Sequence, residues 1–372
     1  MRVLQVISSG GMYGAEAVIL NLARAMEAGP HSVELAVFEN LPHPNFQMHE
    51  TALKQWIPSQ LVRCRGQLDW SAVVRIRQLA AEARAEVVHA HGFKADIYAY
   101  LAMRQSGVPL VSTCHSWYDT DRIVRLYGAL DRFVLRRYPR VVAVSDEVRR
   151  RLLKAGVREQ RIRMVRNGID LRQFAAAEPS LRAEFGAAPI VGLVGRLAWE
   201  KGVDLFLRAV AKLLPQFPQA RFVVAGEGPD REKLQQLIAD LAIGESVAML
   251  GRRDDMAGVY ASLDVMVSAS RQEGLPIAVL EAMASARAVV ATAVGDVPSI
   301  VLDGKTGVLV PAGDVDALTA AIAGLLRDPE RRARLGTAAR EMVREQYSAE
   351  RMAAEYLKVY NEAIAATPAV AE

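Results

Sequence analysis

Two Rossmann-like α/β domains facing across a cleft are the architecture this sequence predicts, and three observations predict it. Its 372 residues are long for one hydrophobic core and comfortable for two. Short apolar runs alternate with helical patterns, as parallel strands joined by crossover helices do. That alternation occurs twice, interrupted at 172–189 by an Ala-rich stretch that holds Pro179 and Pro189.

The first series opens with a strand over 3–7 that ends in Ser8-Ser9-Gly10-Gly11. Strands follow over 33–38, 87–90, 110–113 and 141–144, with helices over 15–28, 70–83, 95–104, 122–137 and 146–155. This domain spans 1–175, and 176–189 serves as the linker. The second series places strands over 190–194, 222–225, 247–249, 265–268, 289–291 and 307–310, within a domain over 190–348. Its clearest helix runs over 203–214. A last helix occupies 349–366, and the tail from Thr367 is expected to be disordered.

Composition narrows the class. Hydrophobic content of 51% with 24% charged residues is that of a globular protein. Cys64 and Cys114 supply neither a disulfide framework nor a metal-binding spacing, which fits a reducing compartment. The N-terminal run lacks a signal peptide's apolar region and cleavage site, and no stretch approaches 18 consecutive apolar residues. A cytoplasmic location is therefore expected. Formal net charge is only +4, yet arginines crowd the stretch from Arg122 to Arg166. Interleaved with Ile123, Val124, Leu126, Leu130, Phe133 and Val134, those of 122–137 make an amphipathic helix with a basic face. Such a face suits peripheral membrane contact or a lipid-phosphate-linked acceptor, and a solvated helix face explains it equally. No aromatic stacking platform accompanies the charge, so nucleic acid is not expected as a partner.

Two clusters carry the chemistry. Glu273-Gly274-Leu275-Pro276 leads into an apolar run ending at Glu281. Pro276 suits the first helical turn, where a missing N–H costs nothing. Gly274 admits close backbone approach, and the helix N-terminus beginning near Leu275 attracts an anion. Glu273 and Glu281 are acceptor-only carboxylates fit to grip hydroxyls. Upstream, Gly195-Arg196 and Lys201-Gly202 follow the strand 190–194 and precede the next helix. An arginine fork and a lysine point charge at a strand's carboxyl end make a diphosphate site. Solvated side chains are the alternative in both places.

Ligands in open α/β sheets bind beyond the carboxyl ends of strands. Gly10, Gly11 and Gly14 follow the first strand and Glu39 the second, loosely like a nicotinamide dinucleotide site, which leaves the second-domain cluster unexplained. His89 and His91 close the third strand; a third metal ligand is not evident, and His91 is a candidate for acceptor contact.

In order along the chain, Gly10-Gly11, Val144-Ser145, Asn167-Gly168-Ile169-Asp170, Gly195-Arg196, Lys201-Gly202, Gly226-Glu227-Gly228-Pro229 and Glu273 to Glu281 resemble the GT4 family of retaining, Leloir-type glycosyltransferases. The likeness spans residues 2 to about 365. It implies the GT-B fold, with the last helix crossing back to the N-terminal domain. It also implies a UDP- or GDP-sugar donor, retention at the anomeric carbon and no metal or other cofactor; no Asp-x-Asp site stands in the sequence. His115 matches the family's active-site histidine and Gly11 the loop that closes over the donor diphosphate. Arg196 and Lys201 then stabilise the leaving diphosphate, Glu273 holds donor-sugar hydroxyls, and Glu281 holds the ribose. Gly226 and Gly228 bring a loop to the nucleotide, Arg252 flanks the base, and Asp119 orients His115 or touches the acceptor. The family's habit is assembly of surface polysaccharide or lipid-linked glycan at the cytoplasmic membrane face. A sugar-nucleotide epimerase of the same fold and a non-catalytic sugar-nucleotide binder are the competing readings.

Overall fold

The computed structural model describes residues 1–12, 14–41, 44–66, 69–115 and 122–367, with backbone alone at 122–127 and 129. Two compact units form: Met1–Gly168 joined by the helix Ala349–Ala366, and Ile169–Ser348.

In the first unit the described strands are β1 (Arg2–Ile7), β2 (Ser32–Asn40), β3 (Ser59–Cys64), β4 (Val87–His91), β5 (Leu110–Cys114), β6 (Arg140–Ala143) and β7 (Ile162–Met164). They lie in the order β3-β2-β1-β4-β5-β6-β7, every pair parallel. Leu4, Val6, Val88 and Ala90 pack with Ile76, Leu79, Tyr98 and Ala102 from flanking helices in one buried cluster. Full burial of one such large side chain contributes about 1.5–3 kcal/mol, enough to hold each strand's register.

The second unit contains β8 (Ile190–Val194), β9 (Arg221–Ala225), β10 (Val247–Gly251), β11 (Val265–Ser268), β12 (Ala288–Thr292) and β13 (Val308–Val310). Their order is β10-β9-β8-β11-β12-β13, again all parallel. Val191, Leu193 and Val267 meet Phe206, Leu207, Val210 and Leu213 of the helix Val203–Leu213. Both sheets reverse strand order once, between β1 and β4 and between β8 and β11. Loops leaving those neighbouring strands diverge to opposite faces and open a crevice at the carboxyl end.

Three features differ from the sequence expectation. β3 and β7 are edge strands absent from it. The units divide after Gly168, and 176–189 is no free linker: Leu181 is buried and donates its N–H to Ser262 Oγ at 2.9 Å. Short helices Arg172–Ala175 and Arg182–Phe185 occupy the stretch instead. The arginine-rich segment is also less free than its composition suggests. Arg136 Nε donates to the Ala155 carbonyl, Arg161 Nη1 to that of Arg136, and Arg149 and Arg151 pair with Glu159 and Glu147. On the helix Arg122–Leu135, Leu130 and Phe133 remain exposed, with Arg137 stacked 3.5 Å from the Phe133 ring centroid. Among the described residues, no helix is long and apolar enough to cross a membrane.

The helix Ala349–Ala366 is locked to the first sheet by polar contacts in its core. Tyr360 hydroxyl lies 2.8 Å from His89 Nδ1, and Tyr356 hydroxyl 2.9 Å from Thr113 Oγ1. Glu362 accepts from Arg140 and Arg163 Nε, each at 2.7 Å. Tyr360→Phe strands the buried His89 nitrogen while keeping the ring, so it is expected to cost the first unit about 1–3 kcal/mol. Chemical denaturation of the two proteins side by side measures this.

Candidate active site

In the second unit, Leu193 pairs with Val267, so the loops leaving β8 and β11 start side by side. The first makes a short turn at Trp199–Lys201, after which left-handed Gly202 starts the helix Val203–Leu213. The second descends through Ser270 to Glu273. Lys201 Nζ meets Glu273 Oε1 at 2.5 Å, and Ser270 Oγ donates to the same oxygen at 2.8 Å. Glu273 is nearly buried and Lys201 about a quarter exposed, so the ion pair is shielded on one side and open on the other. Arg196 lies exposed on the β8 loop.

The helix after Glu273 is Ile277–Ala284, with Pro276 capping it from outside at ψ 110°. Pro276 thus occupies the N-cap where the first turn was expected, and Leu275 precedes the helix. A Cβ on Gly274 would meet nothing within 4 Å, so this approach is open. Gly226 and Gly228 are different. A Cβ on Gly226 would fall 1.9 Å from the Gly195 carbonyl oxygen, and one on Gly228 2.3 Å from that of Leu197. The room these two glycines leave is occupied by the β8 loop. Their observed work is to press two strand-end loops together. Arg252 is exposed, its Nε 4.0 Å from Asp254 Oδ1.

Glu281, in the second turn of that helix, points its carboxylate at Tyr260, whose hydroxyl donates at 2.8 Å. Burial pushes the Glu281 carboxyl up to about 7, against the opposing pull of that hydrogen bond.

The first unit's strand ends present several hydrogen-bonding groups. Ser9 hydroxyl lies 2.9 Å from Glu16 Oε1 and accepts from the Gly11 N–H at 3.1 Å, while Asn45 Nδ2 donates to the Gly10 carbonyl at 3.0 Å. His89 is a core residue: Tyr360 and Thr113 face its two nitrogens. Gln5 Oε1 faces His91 Nε2 at 3.2 Å, and His91 Nδ1 faces His115 Nε2 at 3.2 Å. With Gln5 accepting, His91 carries its proton on Nε2, His115 donates through Nε2, and His115 Nδ1 becomes a lone-pair acceptor. That nitrogen is buried without a hydrogen-bond partner among the described residues. Burial lowers His89 to about 3, His91 well below the usual range and His115 to about 4, so the three rings are neutral at pH 7. Among the described residues, no group of three or more His, Cys, Asp or Glu is arranged to hold a metal ion.

The structure therefore brings Lys201 and Glu273 together in one unit, and His91 and His115 in the other. Asp119 lies outside the described residues. Ser270, Tyr260 and Gln5 were not anticipated; Tyr260 and Gln5 touch anticipated residues from elsewhere in the chain, Ser270 touches Glu273 from three positions before it, and none belongs to a legible motif. Arg271 and Asp204, which join the two loops of the ion pair, were missed for the same reason.

Comparison with known proteins follows the same lines. A family model for group 1 glycosyl transferases matches residues 180–342, and one for Glycosyltransferase Family 4 matches 12–173. The lipopolysaccharide core biosynthesis mannosyltransferase LpcC of Rhizobium leguminosarum bv. viciae is 31% identical over 79% of this chain and 83% of its own. The alpha-D-kanosaminyltransferase of Streptomyces kanamyceticus is 30% identical over 80% of this chain and 82% of its own. In fold, the chain resembles Anabaena Alr3699/HepE, solved with UDP-glucose, at TM-score 0.82 and 20% identity over 96% of this chain and 98% of that one.

The raised Glu281 carboxyl has a consequence for the ligand-free protein. An unfolded glutamate releases its proton near 4.5 and the folded one near 7, so the stability present below pH 4.5 is lost as pH rises to 7. Glu281→Gln removes that loss. At pH 8 the variant is expected to be more stable than wild type by about 1–2 kcal/mol after allowance for partial exposure, with the gap closing toward pH 4.5. Melting curves at pH 5 and pH 8 read the difference.

Proposed function

The chain belongs to the group 1, family 4 glycosyltransferases, and on that premise we propose that it moves a hexosyl unit from a UDP- or GDP-sugar to a hydroxyl acceptor with retention at the anomeric carbon. The observation that supports this most is the Lys201–Glu273–Ser270 constellation at the strand-order reversal of the second unit. A cation and a carboxylate already paired there suit a ligand with both a phosphate and a hydroxylated ring. On binding, the diphosphate takes Lys201 and Arg196, and Glu273 is released to the sugar hydroxyls.

In the proposed reaction the bond from the anomeric carbon to the diphosphate oxygen breaks, and the acceptor oxygen bonds to that carbon on the same face. The acceptor proton goes to the departing phosphate oxygen. Charge accumulates on the diphosphate as the bond breaks, and Arg196, Lys201 and the N-terminus of the helix Ile277–Ala284 stabilise it. No step needs a metal ion. Glu281 accepts from the ribose hydroxyls, the Gly226–Gly228 loop supports the nucleotide, and Arg252 flanks the base. In the first unit, Gly11 approaches the diphosphate and His115 Nδ1 accepts from a donor-sugar hydroxyl. His91 and Asp119 serve the acceptor. That acceptor is a glycan or lipid-linked saccharide, a choice supported by the lipopolysaccharide-core relative. Exposed Leu130 and Phe133 on a basic helix favour peripheral membrane contact.

Thermal-shift measurements with UDP, GDP, ADP and NAD, each with and without EDTA, test the reading. A ligand at a hundred times its Kd adds about 2.7 kcal/mol of stability. Stabilisation by UDP or GDP, indifferent to EDTA, is expected; a response to NAD alone refutes it. Lys201→Ala is expected to remove roughly 3–4 kcal/mol of transition-state stabilisation, the scale of one preorganised donor. Turnover within threefold of wild type would remove Lys201 from this role.

A further inference from the structure

Lys201 and Glu273 reach their meeting point on different loops, 72 residues apart in sequence. A single ion pair with an open side is a weak clasp, because water and counter-ions compete for it. It must also come apart when a ligand takes the lysine. Something else has to keep the two loops in register, and the residue placed to do so is Arg271.

Arg271 stands two positions before Glu273 and reaches across to the turn that bears Lys201. Its backbone N–H donates to the Glu200 carbonyl at 2.7 Å, and the N–H of Gln272 reaches the same oxygen at 3.3 Å. Its guanidinium donates to the Trp199 carbonyl at 2.9 Å. The same group forks onto Asp204, Nη1 to Oδ1 at 2.8 Å and Nη2 to Oδ2 at 2.7 Å. Asp204 lies in the first turn of the helix Val203–Leu213, where a carboxylate also complements the helix dipole. The Trp199 ring sits 5.3 Å from the guanidinium carbon. Lys201 is thus bracketed, with Trp199 and Glu200 held on one side and Asp204 on the other, by one residue of the Glu273 loop.

Geometry separates this contact from an ordinary surface ion pair. Two parallel N–H···O bonds fix the angle between the groups as well as their distance. Arg271 is about four-fifths buried and Asp204 about two-thirds. Burial raises the Asp204 carboxyl and the hydrogen bond and charge of Arg271 lower it, with the net direction downward, as in a pair that prefers the charged state. Gly202 adds the requirement of closeness: a Cβ there would lie 2.0 Å from the Ala269 carbonyl oxygen.

We propose that Arg271 is a positioning residue for glycosyl transfer, holding the Lys201 turn and the Glu273 loop as one body through Asp204 and the Trp199 and Glu200 carbonyls. This rests on the glycosyltransferase reading of the same site. In this arrangement the ion pair can open toward a donor without the loops drifting apart. A misplacement of about 1 Å at a reacting centre costs on the order of a hundredfold in rate.

The test uses Arg271→Ala, Asp204→Asn, the double variant, Arg271→Lys, and Arg271→Ala added to Lys201→Ala. Turnover is read as nucleoside diphosphate released from whichever of UDP-glucose, UDP-N-acetylglucosamine and GDP-mannose the wild type uses. Both single variants are expected to lose roughly 10- to 100-fold in kcat with donor KM changed less than about threefold. The double variant is no worse than the poorer single one, and Arg271→Lys recovers part of the loss. On the Lys201→Ala background, Arg271→Ala costs less than about threefold, because the group it positions is already gone. A full-activity Asp204→Asn beside a crippled Arg271→Ala would make Arg271 a direct donor contact and overturn the proposal, as would losses that multiply or fall on KM alone. Hydrogen exchange on the ligand-free variants gives a readout independent of any donor. Segments 196–204 and 269–276 exchange faster together in either single variant, and unchanged exchange there also overturns it. Failure of the wild type to use any of the three sugars bears on the glycosyltransferase reading, while the exchange result still decides the clasp.

Discussion

The reversal of strand order between β8 and β11 is the constraint on which the second unit's chemistry depends. Parallel strands that neighbour one another in space while far apart in sequence start their following loops side by side at the sheet's carboxyl end, where the crevice opens. Here the reversal brings a lysine from one loop within hydrogen-bonding distance of a glutamate from the other. Neither residue could find its partner through local structure, since they stand 72 positions apart. The first unit repeats the device between β1 and β4, where Gln5 and His91 come together and pass the contact on to His115. Two sheets with the same topology have filled equivalent positions with opposite chemistry. One holds an ion pair with an open side; the other holds imidazoles that burial keeps neutral.

Holding such loops in place is a packing problem before it is an electrostatic one. Gly226 and Gly228 leave no side chain where the carbonyls of Gly195 and Leu197 pass, and Gly202 leaves none where that of Ala269 passes. Three loop contacts of this closeness, together with the Arg271–Asp204 fork, give the strand ends a rigid floor. Gly274, by contrast, has open space where its Cβ would stand, at the point where the ligand is proposed to lie. Absence of a side chain therefore has two physical meanings in one site, close packing of backbone and clearance for something else.

How much of this was legible in the sequence follows from the range of each signal. Central strands such as β8 and β11 are buried on both faces and read as near-continuous apolar runs. Edge strands do not. β3 spells Ser59-Gln60-Leu61-Val62-Arg63-Cys64 with Gln60 and Arg63 exposed, and β7 is three residues long with Arg163 at its centre. The same contrast governs the site. Arg196, Lys201, Glu273 and Glu281 stand in short spacings with chemical sense, so they could be picked out together. Asp204 and Arg271 are an unremarked helix-start acid and a loop arginine until the fold sets them 2.7 Å apart. Tyr260 beneath Glu281 and Gln5 beside His91 are of the same kind. Motif residues announce themselves locally, and the residues that orient them do so only through topology.

That distinction also explains why the two carboxylates of one motif behave differently. Glu273 keeps company with a lysine and a serine hydroxyl on a loop. Glu281, eight residues on, has turned into the helix and found only the Tyr260 hydroxyl, and burial lifts it to about 7. A group balanced between charged and neutral near physiological pH is poised to respond to what binds it. On the proposed reading, ribose hydroxyls donating to Glu281 would favour its ionised form and so couple proton release to donor binding. The two carboxylates of one motif thus differ by their surroundings, Glu273 against a lysine and a serine hydroxyl and Glu281 against a buried tyrosine hydroxyl.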